Sequence, residues 1–141
     1  MNIAKMLDFE QKVPLWLLIP PAILVVIYGF LSNLAFTDPT FFYESMTIPI
    51  PEHGFMLLSW GGKNTAIVVG LILAMVSRRL QTILMMMVVL LTMQFGDINA
   101  GARTNVNVFV TYIGMGFVIL ELVLIGVWQS RTATKAAPAT A

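Results

Sequence analysis

Lys63, Asp97 and Glu121 are the side chains whose charge sits hardest against its surroundings in this sequence. Lys63 stands in "SWGGKNTAIVVGLILAMV", Asp97 ends "LLTMQFGD", and Glu121 interrupts "FVILELVLIGVW". Ionisable groups in apolar segments are costly, and they usually face a bundle interior, pair, or mark a pathway. Lys63 has two readings. Its stem is long enough to carry the ammonium back to an interface (snorkelling). Alternatively it pairs with Asp97 inside a polar cluster. The residues that could build such a cluster at one depth are Ser59, one helical turn before Lys63, and Gln94, one turn before Asp97. Arg103, Asn107, Thr111 and Tyr112 follow in the next segment, and Ser32 and Asn33 close the first. Together they would line a ligand-binding vestibule. Glu121 has no basic residue at its depth. It is therefore either a protonated, hydrogen-bonded acid or a carboxylate paired between protomers, and a proton relay is its sharper reading. Asn107, Thr111, Gly114, Val118, Glu121 and Ile125 fall on one helical stripe, which is expected to face the bundle.

Some chemistries are excluded by residue inventory. There is no cysteine, so disulfides, thiol redox steps and thiolate-bound metals are ruled out. The single histidine, His53, cannot form a bis-histidine haem within one chain. The methionines at 85–87 and 93 point in different directions on a helix and read as packing, not as a copper site. No nucleophile–base pair, phosphate loop or metal-ligand cluster is visible, so catalysis by this chain alone is not expected. A net charge of +1 gives no reason to expect a nucleic-acid partner.

The elements that must position these residues follow from composition. The chain has 141 residues, 58% of them apolar and only 11% charged, against roughly 25% charged in a soluble domain. A globule of this size could not hide that much apolar surface, so lipid is the expected solvent. Four stretches reach the length of about 20 apolar residues that a spanning helix requires, at 13–36, 55–77, 80–98 and 106–128. The expected fold is an all-α membrane protein, a bundle of four transmembrane helices. Residues 1–12 form an interfacial cytoplasmic segment and 129–141 a disordered cytoplasmic tail. Pro20-Pro21 should kink or restart the first span.

Lys5, Lys12, Arg78, Arg79, Arg131 and Lys135 all fall on one side of this threading. The positive-inside rule then puts both termini in the cytoplasm, and the expected location is a bacterial cytoplasmic membrane. The first outer loop, "TDPTFFYESMTIPIPEHG", carries a helix-start signal at Asp38-Pro39 and aromatic residues at 41–43, which reads as a short interfacial helix. Ile48 to Pro51, "IPIP", is expected to be extended. Gly62, Ala66, Gly70 and Ala74, spaced by four, predict a close helix–helix seam on span two.

The outer loop "FTDPTFFYESMTIPIPE", the span "GGKNTAIVVGLILAMVSRR" and "MQFGDI" at the end of the third span together resemble the DoxX-like group of small four-helix membrane proteins. The resemblance covers about residues 20–125 and implies that Lys63 and Asp97 are the polar positions of spans two and three. Some members of that group are linked with quinone-dependent or other membrane redox assemblies, so the resemblance implies no cofactor in the chain itself and a quinone as a candidate ligand, although the missing cysteines do not suit a thiol-redox role. Three functions follow from the reading as a whole. The first is a non-enzymatic accessory or lipid-, quinone- or ligand-binding subunit with a polar outer vestibule. The second is a small proton-coupled transporter acting as a homo-oligomer through Glu121. The third is a subunit of a membrane redox complex whose partner supplies the cofactor.

Overall fold

The computed structural model describes the backbone of residues 11–37, 50–104 and 109–136, with side chains at 11–37, 58–102 and 109–132. It is all-helical there. A 3₁₀ turn at Leu15–Leu18 leads into α1, Ile19–Thr37. The other helices are α2, Ile50–Ser77, α3, Leu80–Thr104, and α4, Phe109–Ala136. Each carries a stretch long and apolar enough to cross a membrane: Leu15–Thr37, Leu58–Ser77, Leu80–Ala102 and Phe109–Thr132. Among the described residues no strand forms; an isolated bridge joins Lys12 to Arg79.

The double proline restarts the first span without breaking it. The 3₁₀ turn ends at Leu18, and Pro20 and Pro21 take the second and third positions of α1. The first four N–H groups of an α-helix have no partner within the helix, so rings that remove two of them are tolerated there. The same argument corrects the expectation for "IPIP". Ile50 and Pro51 open α2 as helix rather than as extended chain, again where a missing donor is harmless. Ile48, Pro49 and the expected interfacial helix at 38–43 lie outside the described residues. At the other end, α4 runs on to Ala136, so 129–136 are helical, not the unstructured tail expected; 137–141 lie outside the described residues.

Each helix packs on its neighbours in sequence, and α4 closes the ring against α1. The core is the shared inner face. Leu24 and Tyr28 come from α1, Ile67, Leu71 and Ala74 from α2, Ile83, Met87 and Leu90 from α3, and Val118 and Ile125 from α4. Outward positions such as Val26, Val76, Val88 and Val123 are exposed and apolar, as a surface facing lipid requires.

The α1–α2 contact is the closest, and it does not use the expected seam. A side chain at Gly61 would meet the Phe36 ring at 3.0 Å and the Ala35 methyl at 3.1 Å. Gly62, by contrast, has open space beside it, and Ala66 is exposed. The reason is geometric. Four residues turn a helix through about 400°, so a row spaced by four drifts by about 40° per step. Only the far end of the row, Gly70 against Met86 on α3 and buried Ala74, reaches the interior.

The beginning of the described chain is tied to the α2–α3 corner. Val13 N–H donates to Arg78 O at 2.9 Å, Leu80 N–H donates to Gln11 O at 3.0 Å, and the Arg78 guanidinium donates to Val13 O at 3.0 Å. Arg78 itself takes a left-handed φ of 53°, and its N–H donates to Ala74 O at 3.0 Å, which ends α2.

Candidate functional site

Lys63 and Asp97 meet. The ammonium donates to Asp97 Oδ1 at 2.5 Å, joining α2 to α3. The side chains keep 27% and 31% of their exposure, so the pair sits at a mouth of the bundle, not sealed in its core. Pairing is the observed geometry, and a freely snorkelling lysine is not. Beside it, Ser32 on α1 is buried. Its hydroxyl lies 3.0 Å from Gly61 O and 2.6 Å from the Thr65 hydroxyl, which is itself 2.9 Å from Gly61 O. The two hydroxyls and one carbonyl form a small closed network that holds α1 against α2.

One turn deeper, Gln94 is nearly inaccessible, and its Nε2 donates to the Tyr28 hydroxyl at 2.8 Å. Its Oε1 is buried without a partner among the described residues. Flipping the amide would exchange the two atoms and still leave one unpaired. Gly114 is what lets α4 pass this pair. A side chain there would sit 2.8 Å from Gln94 Nε2 and 2.9 Å from the Tyr28 oxygen.

Asn64, next to Lys63, was not visible as a site residue in the sequence. It is 1% exposed, and among the described residues neither Oδ1 nor Nδ2 has a hydrogen-bond partner. Its helical stripe, Gly61, Asn64, Ile67 and Leu71, identifies the inner face, but the small-residue row one position away points elsewhere. Tyr28, mid-span and flanked by apolar residues, carried no signal either.

The remaining expected members do not join the cluster as described. Ser59 is exposed and Tyr112 is 54% exposed, both pointing away from the inner face. The Arg103 side chain and all of Asn107 lie outside the described residues. Asn33 is exposed, and its carbonyl accepts from the Thr37 hydroxyl at 2.7 Å.

The α4 stripe faces inward as expected. Gly114, Val118, Glu121 and Ile125 are buried, and Gln129 extends the stripe. Glu121 is fully buried, and among the described residues neither carboxyl oxygen has a partner. It lies seven residues beyond Gly114, about 10 Å further into the bundle. Among the described residues no three acidic or histidine side chains gather where they could hold a metal ion.

No family model matches the chain, and no curated protein or solved structure matches it either.

Proposed function

We propose that this chain is a non-enzymatic integral membrane protein that binds a ligand with a hydrogen-bonding head. It would act as an accessory subunit of a membrane assembly, with both termini in the cytoplasm. The ligand enters at the Lys63–Asp97 mouth. The observation that carries this reading is Asn64, buried, unpaired at both polar atoms and adjacent to the ion pair. A buried amide left unpaired destabilises by about 1–3 kcal/mol, and a ligand is one way to recover that. The free donor at Asn64 Nδ2 and the free acceptors at Asn64 Oδ1 and Gln94 Oε1 suit a quinone or its quinol: carbonyls accept from the amide, and hydroxyls donate to the oxygens. A lipid ester headgroup is the other chemistry these atoms fit. A quinone is also what the DoxX-like layout implies.

The test is mass spectrometry of small molecules retained after mild detergent extraction, on the native chain and on Asn64→Leu. Retention by the native chain, lost in the variant, supports the reading. Equal retention in both overturns it.

A second reading rests on Glu121, whose sealed and unpartnered carboxyl suits a proton carrier in an oligomeric transporter. Proton-linked flux in liposomes that disappears in Glu121→Gln would support it, and flux that survives unchanged would remove it.

A further inference from the structure

The end of the bundle opposite the Lys63 mouth holds a cleft of about 230 Å³ lined by Trp16, Val127, Trp128, Arg131 and Thr132. Two separate pieces of chain build it. Trp16 comes from the 3₁₀ turn ahead of α1, and the other four residues come from the last turns of α4. Arg131 is exposed. Thr132 offers no proton to a ligand, because its hydroxyl already lies 3.2 Å from Trp128 O and 2.9 Å from Gln129 O. The cleft therefore presents a guanidinium fork and two indoles.

Charge at this end is of one sign among the described side chains. Lys12, Arg78 and Arg79 cluster where residues 11–13 pair with 78–80, and Arg131 stands over the cleft. The described carboxylic acids are elsewhere. Asp97 is bound to Lys63 at the far mouth, and Glu121 is buried ten residues before Arg131, about 15 Å along α4. A guanidinium matches a phosphate in two parallel hydrogen bonds. One turn further into the bundle from the cleft residues the surface turns apolar: Ile19, after Trp16, is 58% exposed, and Val123, before Val127, 56%.

We infer that this cleft seats the headgroup of an anionic phospholipid. Arg131 takes the phosphate, Trp16 and Trp128 sit at the glycerol level where amphipathic rings are stable, and the acyl chains run down the apolar face below. That face is the reason to assign a lipid and not free phosphate, because a small anion would leave it unused. The cleft is separate from the Lys63–Asp97 mouth, and the assignment stands whether or not that mouth binds a ligand.

The test is native mass spectrometry of the full chain released from bilayers of equal phosphatidylcholine and phosphatidylglycerol. The native chain should retain phosphatidylglycerol several-fold over phosphatidylcholine. Arg131→Gln should bring that ratio close to one. Arg79→Gln removes an exposed charge from the same end but not from the cleft, and it should keep the preference. A melting curve in detergent confirms that both variants are folded, which is expected for two exposed side chains. The assignment is overturned by an unchanged ratio in Arg131→Gln, or by equal loss in both variants, which would mean diffuse charge. Displacement of the lipid by millimolar inorganic phosphate would also overturn it, because the site would then belong to a free anion.

Discussion

At the Lys63 mouth two full charges, each about a third exposed, hold each other at 2.5 Å. Inside the same bundle, Asn64 and Glu121 are sealed from their surroundings and have no side-chain partner among the described residues. The contrast runs against simple expectation, since sealed polar groups have most need of a partner. The mouth has the features of a structural clamp between α2 and α3, complete as it stands. The interior leaves polar atoms without partners among the described residues. Charge alone therefore points to the better satisfied of the two regions.

Substitutions in both regions would break or sharpen that comparison. The largest effect is expected at Gly114, the gap through which α4 passes the Tyr28–Gln94 pair. Gly114→Val should destabilise by about 3 kcal/mol, from overpacking plus a lost hydrogen bond. Thermal melting in detergent reads this, and adding Gln94→Ala should recover part of the loss by opening space. Next come the clamp residues. Asp97→Asn or Lys63→Met alone should each destabilise by about 1–3 kcal/mol, because the remaining charge loses its counter-ion. The Lys63→Met/Asp97→Asn double variant should be less damaged than the sum of the two, and strict additivity would show that the pair is not a clamp.

The interior should respond in the opposite direction. Asn64→Leu removes two unpaired polar atoms and should raise the stability of ligand-free protein by about 1 kcal/mol. A loss of stability in thoroughly delipidated protein would mean that the amide already has a partner. Smallest of all, Ser32→Ala should change stability by less than about 1 kcal/mol, because the Thr65 hydroxyl still reaches Gly61 O. A large loss there would show that the closed network acts as a unit.

Much of the scaffold was legible in the sequence, because an apolar run of about 20 residues has few alternatives to a spanning helix. The Lys63–Asp97 pair was legible for a related reason. Counting rises along two helices puts opposite charges at one depth, and few other partners exist. The Glu121 stripe could be read from periodicity alone. What periodicity did not give was the absolute rotation of α2. The row beginning at Gly62 looked like the contact face, whereas the true contact begins at Gly61, about 100° around the helix. That one-residue error hides Asn64, which shares the Gly61 face. Gln94 was read as a member of the cluster, but its partner Tyr28 was obscured in another way. It is a tyrosine among apolar residues, and the bond between the two depends on a glycine on a third helix, α4. The helical start at Ile50–Pro51 was missed because proline's effect on the preceding residue was weighed, but its tolerance in a first turn was not.

The short backbone pairing between residues 11–13 and 78–80 makes the start of the described chain a lever. Force applied ahead of Gln11, by a fused reporter or a bound neighbour, is delivered to the corner between α2 and α3 as well as to α1. That corner leads directly into the two helices that hold Lys63 and Asp97.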